Sequence, residues 1–454
     1  MVFPRAVRLR GAVPAPAYHD DVSGPTPTRK ARLEARYVRR RITAGAAAVG
    51  LLALASFGVS RVAGLVGGDR ADAASSRTSL PVAARTTAAA ARDAKPLVRA
   101  PRPSPTVAQG AVGASSAETA LVRTMRLTGD LTPKSVVASP AGVVVAQNMM
   151  YRHSVSAFRA DGALLATIDD SVDLGAFGIK GHPGTTKGAP VEAAFTRDGR
   201  HAWVSNYSMY GAGYGPEGLD SCRAADGTST STVYRIDTST FAIDRVVEVG
   251  AVPKYVAVTP DDRTVLVTNW CSWDLSVIDV ASNRQVARIP LGGTYPRGIV
   301  VSPDSRTAYV ALMGSDRIVT VDLRTRAVRP FATTGDGPRH IVLSPDARYL
   351  YVTNNGSGTV SKLERATGRV LATTHVGTQP RSLAIARDGQ ALYSVNYESS
   401  SVSKLRTSDL TVVQTVPTDQ HPIGITYEPT RKAVWVACYG GSILVFDDSR
   451  RPVA

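Results

Sequence analysis

The sequence contains few cysteines, few aromatic residues and no linear catalytic motif. Its 454 residues include three cysteines, Cys222, Cys271 and Cys438, and only 6% aromatic residues. Three cysteines without a CxxC pair are too few for a disulfide-dominated fold and do not fit zinc or thioredoxin chemistry. The sequence also lacks a GxSxG nucleophile elbow and an HExxH helix, so no cofactor, metal or catalytic residue is predicted from a motif.

Positive charge is distributed unevenly along the chain. The net charge of +16 suggests nucleic acid as a partner at first sight. Residues 1–118, however, hold 18 lysines and arginines against 7 acidic residues, a net of +11, whereas residues 119–454 hold 35 against 30, a net of +5. Because most of the excess lies outside the part that is expected to fold, nucleic acid is disfavoured as a partner.

The N-terminal region has the pattern of a single membrane segment. Residues 1–41 are basic and are interpreted as a disordered cytoplasmic region, and residues 42–60 then run without a charge. The positive-inside rule places the remainder of the chain outside the cell. Residues 42–66 are either an uncleaved signal anchor in the cell membrane or the apolar part of a signal peptide. Cleavage near Ala71-Asp72-Ala73 would then release a secreted protein.

A spacer and one folded domain are predicted to follow. Residues 67–118 contain no aromatic residue and are rich in Ala, Pro, Ser, Thr and Arg. Such a composition cannot bury a core, so this segment is predicted to be disordered. Residues 119–449 alternate apolar and polar side chains in short runs, which indicates a β-rich domain, here expected to be a monomer.

A repeated proline organises residues 119–449. It is usually followed by a basic residue and opens a β-rich segment. It occurs at Pro133, Pro190, Pro253, Pro296, Pro338, Pro380 and Pro422. The last four spacings are 43, 42, 42 and 42 residues, and a period near this value with about four short strands is typical of propeller blades. Seven prolines therefore predict an all-β fold, a seven-bladed β-propeller.

The count of strands predicts how the ring closes. In each unit, the strand after the proline is followed by a tight turn such as Ser302-Pro303-Asp304, a strand that ends in Val-x-Asn, and two further strands. The seventh unit ends near Phe446 after about three strands, and one extra strand, Leu121–Leu127, precedes the first blade. We therefore expect the N-terminal strand to complete the last four-stranded blade and remove the open sheet edge.

The repeat resembles a known family. Tyr351-Val352-Thr353-Asn354-Asn355 contains the YVTN signature in its 42-residue setting, and residues 121–448 resemble the YVTN β-propeller proteins, the YncE-like group. Two blades depart from the signature, with Val310-Ala311-Leu312 and Val436-Ala437-Cys438 at its position. The resemblance implies a propeller located outside the cytoplasm, with a binding or surface role and no assigned reaction.

Basic residues are predicted to surround the mouth of the central channel. In a propeller, the start of the inner strand and the end of the second strand lie on one face, here called the top face, which also receives the insertions 171–189 and 207–231. The cations that follow the repeated prolines are Lys134, Lys254, Arg297, Arg339 and Arg381. They either bind an anionic ligand, or each pairs with a nearby carboxylate or backbone carbonyl as part of the architecture.

Other candidate residues lie near the same face. The aromatic residues that follow the Val-x-Asn positions are Tyr207, Trp270, Tyr397 and Tyr439. They either stack on a ligand beside the cations or pack against the inserted loops, and the Asn before them is predicted to cap the turn through backbone hydrogen bonds. His340, His421 and Glu398 could form an acid–base site or hold a metal, although they lack metal-ligand spacing.

The cysteines occupy informative positions. Cys222 lies in the long top loop of the second blade, and Cys271 lies in the equivalent loop of the third blade. Neighbouring blades bring the two loops together, so a Cys222–Cys271 disulfide is predicted, with Cys438 as a buried free thiol.

The favoured function is a non-enzymatic surface or secreted propeller that binds an anionic ligand or a protein partner through the channel mouth. The alternative is a propeller hydrolase, lactonase or lyase with a His/Glu site on the top face, with or without a metal.

Overall fold

A computed structural model describes residues 114–150, 152–215 and 217–451, and this part of the chain folds into seven antiparallel sheets. Its helical segments are two short 3-10 turns, Leu174–Phe177 and Met313–Ser315. None of the described residues belongs to a helix that is long and apolar enough to cross a membrane. The predicted segments 1–41 and 42–66, and almost all of the spacer 67–118, lie outside the described residues.

The strands follow the predicted order from the inner to the outer edge of each blade. The first strand of the chain is β1 (Ala120–Leu127). Blade 1 contains β2 (Ser135–Ala138), β3 (Val143–Asn148), β4 (Ser154–Arg159) and β5 (Leu164–Asp169). Blade 2 contains β6 (Ser171–Asp173), β7 (Thr185–Phe195), β8 (His201–Tyr210), β9 (Ser231–Asp237) and β10 (Ala242–Val249). Blade 3 contains β11 (Pro253–Val258), β12 (Thr264–Asn269), β13 (Asp274–Asp279) and β14 (Arg284–Pro290).

The remaining blades repeat the same pattern with little variation. Blade 4 contains β15 (Pro296–Val301), β16 (Thr307–Leu312), β17 (Arg317–Asp322) and β18 (Val328–Ala332). Blade 5 contains β19 (Pro338–Leu343), β20 (Tyr349–Asn354), β21 (Thr359–Glu364) and β22 (Val370–His375). Blade 6 contains β23 (Pro380–Ile385), β24 (Ala391–Asn396), β25 (Ser401–Arg406) and β26 (Val412–Pro417). Blade 7 contains β27 (Pro422–Glu428), β28 (Ala433–Cys438) and β29 (Ser442–Arg450).

The N-terminal strand closes the ring, as predicted. Blade 7 has the strand order β1-β29-β28-β27, with Val122 opposite Asp447 and Leu127 opposite Ile443. A buried polar network supports this closure, because Lys404 Nζ forms an ion pair with Asp448 and donates to Thr119 O at 2.7 Å. Thr119 Oγ1 in turn donates to Asp448 Oδ1 at 3.0 Å. The network therefore joins blade 6, blade 7 and the start of β1.

The core lies between neighbouring blades. The second strand of each blade is buried on both faces, as in the TVLVTN sequence of β12, because each sheet packs against one sheet on either side. One representative cluster joins Leu266 and Leu275 of blade 3 to Ile299, Val310 and Val319 of blade 4. The β-branched residues that fill these positions suit strands that are covered on two sides.

Blade 2 extends above the ring on the top face. Its β7–β8 hairpin continues beyond the Pro190–Asn206 pair to the pairs Gly188–Met209 and Lys187–Tyr210, and β6 adds a fifth strand to it. The predicted insertion 171–189 supplies β6 and the first part of β7, whereas the insertion 207–231 supplies the end of β8 and the loop that follows. The irregular part of the fold is therefore concentrated over blades 2 and 3.

Candidate functional site

The inner strands begin with a repeated backbone feature that directs side chains to the channel. In blades 3 to 7, the residue before the proline has a positive φ, for example Val252 at 55° and Gln379 at 54°. A register shift then separates the proline from the rest of the inner strand, as between Pro253 and Val256. Such bulges re-aim the side chains that they carry, and a β-branched residue such as Val252 in the left-handed region indicates local strain.

The five predicted cations lie directly after the repeated prolines, four of them within the register shift at the start of β11, β15, β19 and β23. Lys254, Arg297 and Arg339 are only 2%, 6% and 3% exposed, and Lys134 and Arg381 are partly buried. The apolar Val191 and Ile423 take the equivalent position in blades 2 and 7 and are also buried. The cations therefore form an asymmetric set, here called the cation ring, that is interrupted at two of seven blades.

Most of the cation ring is not neutralised by ion pairs. Within the described residues, no carboxylate lies within ion-pair distance of Lys134, Lys254, Arg297 or Arg339. The Nε atoms of Arg297 and Arg339 are buried and have no hydrogen-bond acceptor in this part of the chain. The carboxylate form of the architectural alternative therefore does not apply to these four residues.

Burial and mutual repulsion both destabilise the charged forms. Burial, followed by the charges of Arg297, Arg381 and Arg339, lowers the pKa of Lys134 to about 7. Burial also holds the pKa of Lys254 and that of Arg339 well below their ordinary values. These directions are those expected for cations whose loss of water outweighs the attraction of nearby negative charge.

Aromatic rings pack directly on the cations. Lys254 Nζ lies 4.1 Å from the centroid of the Tyr207 ring, and Arg381 Cζ lies 3.9 Å from that of Tyr397. Lys134 Nζ lies 5.1 Å from the centroid of Tyr439, and Arg297 Cζ lies 5.5 Å from that of Trp270. Trp270 is only 6% exposed. Of the two predicted roles, packing against the inserted loop therefore describes Trp270, whose face is also stacked on Tyr295 at 4.6 Å.

The predicted disulfide is present at the edge of this site. Cys222 and Cys271 are bonded, with Cα atoms 5.4 Å apart, and Cys438 is a buried free cysteine, as predicted. The bonded loop also contacts the aromatic residues, because Tyr207 OH donates to Gly218 O at 2.7 Å. The disulfide therefore holds part of the insertion 207–231 against blade 3.

The Asn of the Val-x-Asn sequence has a different role from the predicted one. Asn354 Nδ2 donates to Thr359 Oγ1 at 3.0 Å and to Ser361 Oγ at 2.9 Å, and Asn269 makes the same bond to Ser276 Oγ at 2.9 Å. These amides join the second strand to hydroxyls of the third strand rather than capping the turn through its backbone. Backbone bonds also form, but to segments other than the turn: Asn396 Nδ2 donates to Val376 O at 2.9 Å, and Thr132 N donates to Asn148 Oδ1 at 3.1 Å. The predicted backbone bonding is therefore present at these positions, whereas the turn itself is not capped.

A second layer of polar side chains lies below the cation ring. In five of the seven blades, the residue after the cation position lines a central cavity of about 380 Å³. These five residues are polar: Ser135, Glu192, Tyr255, His340 and Ser382. Only His340 was predicted as a site residue, although the others occupy the same place in the repeat, two residues after the proline. This shared position in the repeat was the sequence signal from which the layer could have been predicted.

Glu192 is the acidic member of this layer. Its carboxyl group accepts a hydrogen bond from Ser135 Oγ. Burial raises the pKa of Glu192 to about 7, against the opposing effects of that hydrogen bond and of the charges of Arg297 and Arg339. Blade 2 thus contributes a carboxyl group next to the position at which it lacks a cation. Such a group can accept or donate a proton near neutral pH.

The three predicted His and Glu residues are not brought together. His340 lines the cavity and accepts a hydrogen bond on Nδ1 from the Leu383 amide at 2.8 Å, so the neutral ring carries its proton on Nε2. Burial and the nearby Arg339 and Arg297 lower its pKa to about 3. His421 instead stacks on Tyr397 at 4.5 Å, and Glu398 is exposed.

A possible metal-binding group lies elsewhere. Among the described residues, the His, Cys, Asp and Glu side chains that approach metal-ligand spacing are His201, Asp237 and Asp244 at the outer end of blade 2. Asp244 is already paired there with Arg235 at 2.7 Å, and Asp237 accepts bonds from Ser239. This group is not part of the channel.

The fold and its site define a seven-bladed β-propeller with a cationic channel mouth. Comparison with known families agrees, since residues 219–370 match the family described as lactonase, 7-bladed beta-propeller. Residues 310–440 match the cytochrome D1 heme domain, another propeller. No curated protein matches the sequence significantly.

Solved structures share the fold at low sequence identity. A chain of the Kuenenia stuttgartiensis hydrazine synthase is 20% identical, with a TM-score of 0.56 over 71% of this chain and 98% of its own. A chain of a mitotic checkpoint complex is 14% identical, with a TM-score of 0.57 over 79% and 98%. Virginiamycin B lyase from Staphylococcus aureus is 14% identical, with a TM-score of 0.53 over 71% and 98%. At these identities the likeness concerns the fold alone.

Proposed function

We propose that the protein binds a small anionic ligand, with its carboxylate or phosphate group in the cation ring. The observation that carries this proposal is the burial of Arg297 and Arg339 without an acceptor for either Nε atom among the described residues. Buried charges without a partner are costly, and an anion at the mouth would supply the missing acceptors. The cavity of about 380 Å³ is within the usual range for small-molecule sites, which favours a small ligand over an acidic polymer.

Calorimetric titration with inorganic phosphate and with citrate tests this function. Saturable binding that weakens as salt is added is the expected result, because charge–charge attraction is screened. A control double variant on the opposite face, Arg306→Met with Arg348→Met, removes two exposed cations from blades 4 and 5, the blades that carry Arg297 and Arg339. It should bind as the wild type does. Absence of saturable binding to either anion would remove the support for the proposal.

Anion affinity is expected to rise as the pH falls through about 7. The pKa of Lys134 is about 7 without ligand, and a bound anion raises it, so binding takes up a proton. The groups that face Lys134 are Arg297, Arg381, Arg339, Asp220 and the Tyr439 ring. Protonation of Glu192, whose pKa is also about 7, removes a negative charge and acts in the same direction.

Titrations in two buffers of different ionisation enthalpy measure this proton uptake directly. Each proton taken up contributes up to about tenfold in affinity per pH unit. Lys134→Met should reduce the uptake, whereas Lys432→Met, on an exposed turn far along the repeat, should not. An affinity that is independent of pH between 6 and 9, or that rises with pH, would contradict the assignment.

A hydrolase or lyase is the second candidate function. It is favoured by Glu192, Tyr255 and His340 in the cavity below the cations and by the match to the lactonase family. The enzyme and the binding protein are distinguished by incubating the protein with a panel of anionic lactones and esters and measuring the release of acid in a pH-stat. A turnover that Glu192→Gln abolishes without weakening ligand binding would favour the enzyme. No turnover across the panel would favour the binding protein.

We also infer that the protein is a surface-displayed member of the YVTN group, attached through residues 42–60. The disulfide supports a location in an oxidising compartment. Fractionation of cells should recover the protein with the membranes and with the propeller accessible to external protease. Quantitative recovery from the medium with Ala74 as the first residue would instead support the secreted form.

A further inference from the structure

The segment 217–222 lies against the aromatic residues of the channel mouth. Trp270 Nε1 donates to Asp220 O at 3.2 Å, and Tyr207 OH donates to Gly218 O at 2.7 Å. Cys222 at the end of the segment is bonded to Cys271 of blade 3. Three independent contacts therefore fix this short segment, all of them to residues at the top of blades 2 and 3.

The same aromatic rings cover two of the cations. Lys254 Nζ lies 4.1 Å from the Tyr207 centroid and 5.4 Å from that of Trp270, and Arg297 Cζ lies 5.5 Å from the latter. Asp220 is consequently placed beside the cation ring by its own backbone bond to Trp270. Its negative charge raises the pKa of Lys134, Lys254 and Arg339 against the effect of burial, so its influence extends across the mouth.

Gly218 shows how closely the segment is pressed to blade 3. A Cβ at this position would lie 2.3 Å from Val252 Cγ2 and 3.0 Å from Cys271 Sγ. Only glycine fits without moving the segment or the strained residue before Pro253. The position of Asp220 in the chain is therefore fixed by a close backbone approach at Gly218, a backbone hydrogen bond to Trp270 and the disulfide at Cys222.

We propose that Asp220 is a built-in negative charge beside the cation ring, held at the mouth by the Cys222–Cys271 disulfide, and that its charge competes with an incoming ligand anion. This inference rests on the proposed anion-binding function and describes how that site is regulated. Asp220 is exposed to solvent, so its carboxylate can turn away from the cations without unfolding the propeller. A carboxylate near the cations opposes the binding of a second anion, because like charges in one site repel.

Affinity measurements test the competition. Asp220→Asn is expected to bind phosphate and citrate about three- to tenfold more tightly than the wild type, because a like charge is removed from a partly solvated site. The double variant Cys222→Ser with Cys271→Ser should change affinity in the same direction. Combining all three changes should give no further gain, since both act through one carboxylate. Asp226→Asn, in the same loop and exposed, is the matched control and should have no effect.

A second readout does not require a ligand. The reactivity of the Lys134 amine toward an acylating reagent, measured by mass spectrometry against pH, reports the charge of this residue. Asp220→Asn should shift its midpoint to lower pH, and so should opening the disulfide in the wild type. Opening the disulfide in Asp220→Asn should cause no shift.

The two measurements separate the inference from the proposed function. If no variant binds an anion but the lysine midpoint shifts as described, the proposed function fails and the placement of Asp220 stands. If opening the disulfide leaves the midpoint unchanged, or shifts it equally in Asp220→Asn, the built-in negative charge is refuted whatever the affinities are. Weaker anion binding in Asp220→Asn would also refute it.

Discussion

Replacing Arg297 and Arg339 together by methionine should lower the affinity for phosphate or citrate by about a hundredfold or more. Both guanidinium groups are buried at the mouth, and their Nε atoms lack acceptors in the described part of the chain. Removing one partner of a buried charge pair typically costs about 2–5 kcal/mol of binding free energy. Methionine preserves much of the aliphatic volume, so the change tests charge and hydrogen bonding rather than packing.

The same double variant should keep its fold and its thermal stability. Burial lowers the pKa of both arginines, which means that the folded state carries their charge at a cost. Their removal is therefore expected to leave the midpoint of thermal unfolding unchanged or to raise it, as is common where a site has been kept at the expense of stability. The double variant Arg306→Met with Arg348→Met is again the control. A large loss of stability in the ring variant would show that these arginines are architectural.

Lys404→Met should remove about 3–5 kcal/mol from the free energy of unfolding. Lys404 and Asp448 are fully buried and form an ion pair, and Tyr393 OH donates to the same carboxylate. Without the lysine, the carboxylate is left as a buried charge at the junction between the last blade and β1. Equilibrium unfolding in urea measures the change, provided that the transition is reversible.

Two further variants separate charge from packing at this junction. Lys404→Met with Asp448→Asn should recover part of the loss, because the uncompensated charge is removed. Arg406→Met lies two residues further along the same strand and breaks an exposed pair with Asp409, so its stability should match that of the wild type. If Lys404→Met unfolds at the same urea concentration as the wild type, the buried pair does not stabilise the closure.

The fold could be predicted from the sequence because its information is repeated. Each blade begins with the same proline, most blades share the turn and the Val-x-Asn strand, and the last five prolines keep a spacing of 42 or 43 residues. Even the closure by residues 121–127 followed from counting strands. The disulfide followed in the same way, since both cysteines lie in loops that the repeat places side by side.

The site was only partly predictable, because its decisive features depart from the repeat. Glu192 and Tyr255 line the cavity beside a register shift after the proline, and their side chains differ from blade to blade, so the repeat marks the position but not its chemistry. The position of Asp220 depends on a disulfide, on Gly218 and on the Trp270 indole, three contacts that lie up to 50 residues apart in the sequence. Contacts between residues that are so far apart in the sequence cannot be predicted from the spacing of motifs.

The closure of the ring by β1 and β29 has a consequence for protein synthesis. Thr119 and Asp448, which are hydrogen-bonded at this closure, are 329 residues apart in the sequence. At a translation rate of about 5–20 residues per second, the first strand waits about 15 to 65 s for its partner to be made. During that interval six blades can already pack in order, but the ring remains an open arc with an unpaired strand at its leading end. The nascent chain is therefore exposed to aggregation and to proteases until its last blade is completed. A truncation that removes only β29 would leave the other six blades intact and the ring permanently open.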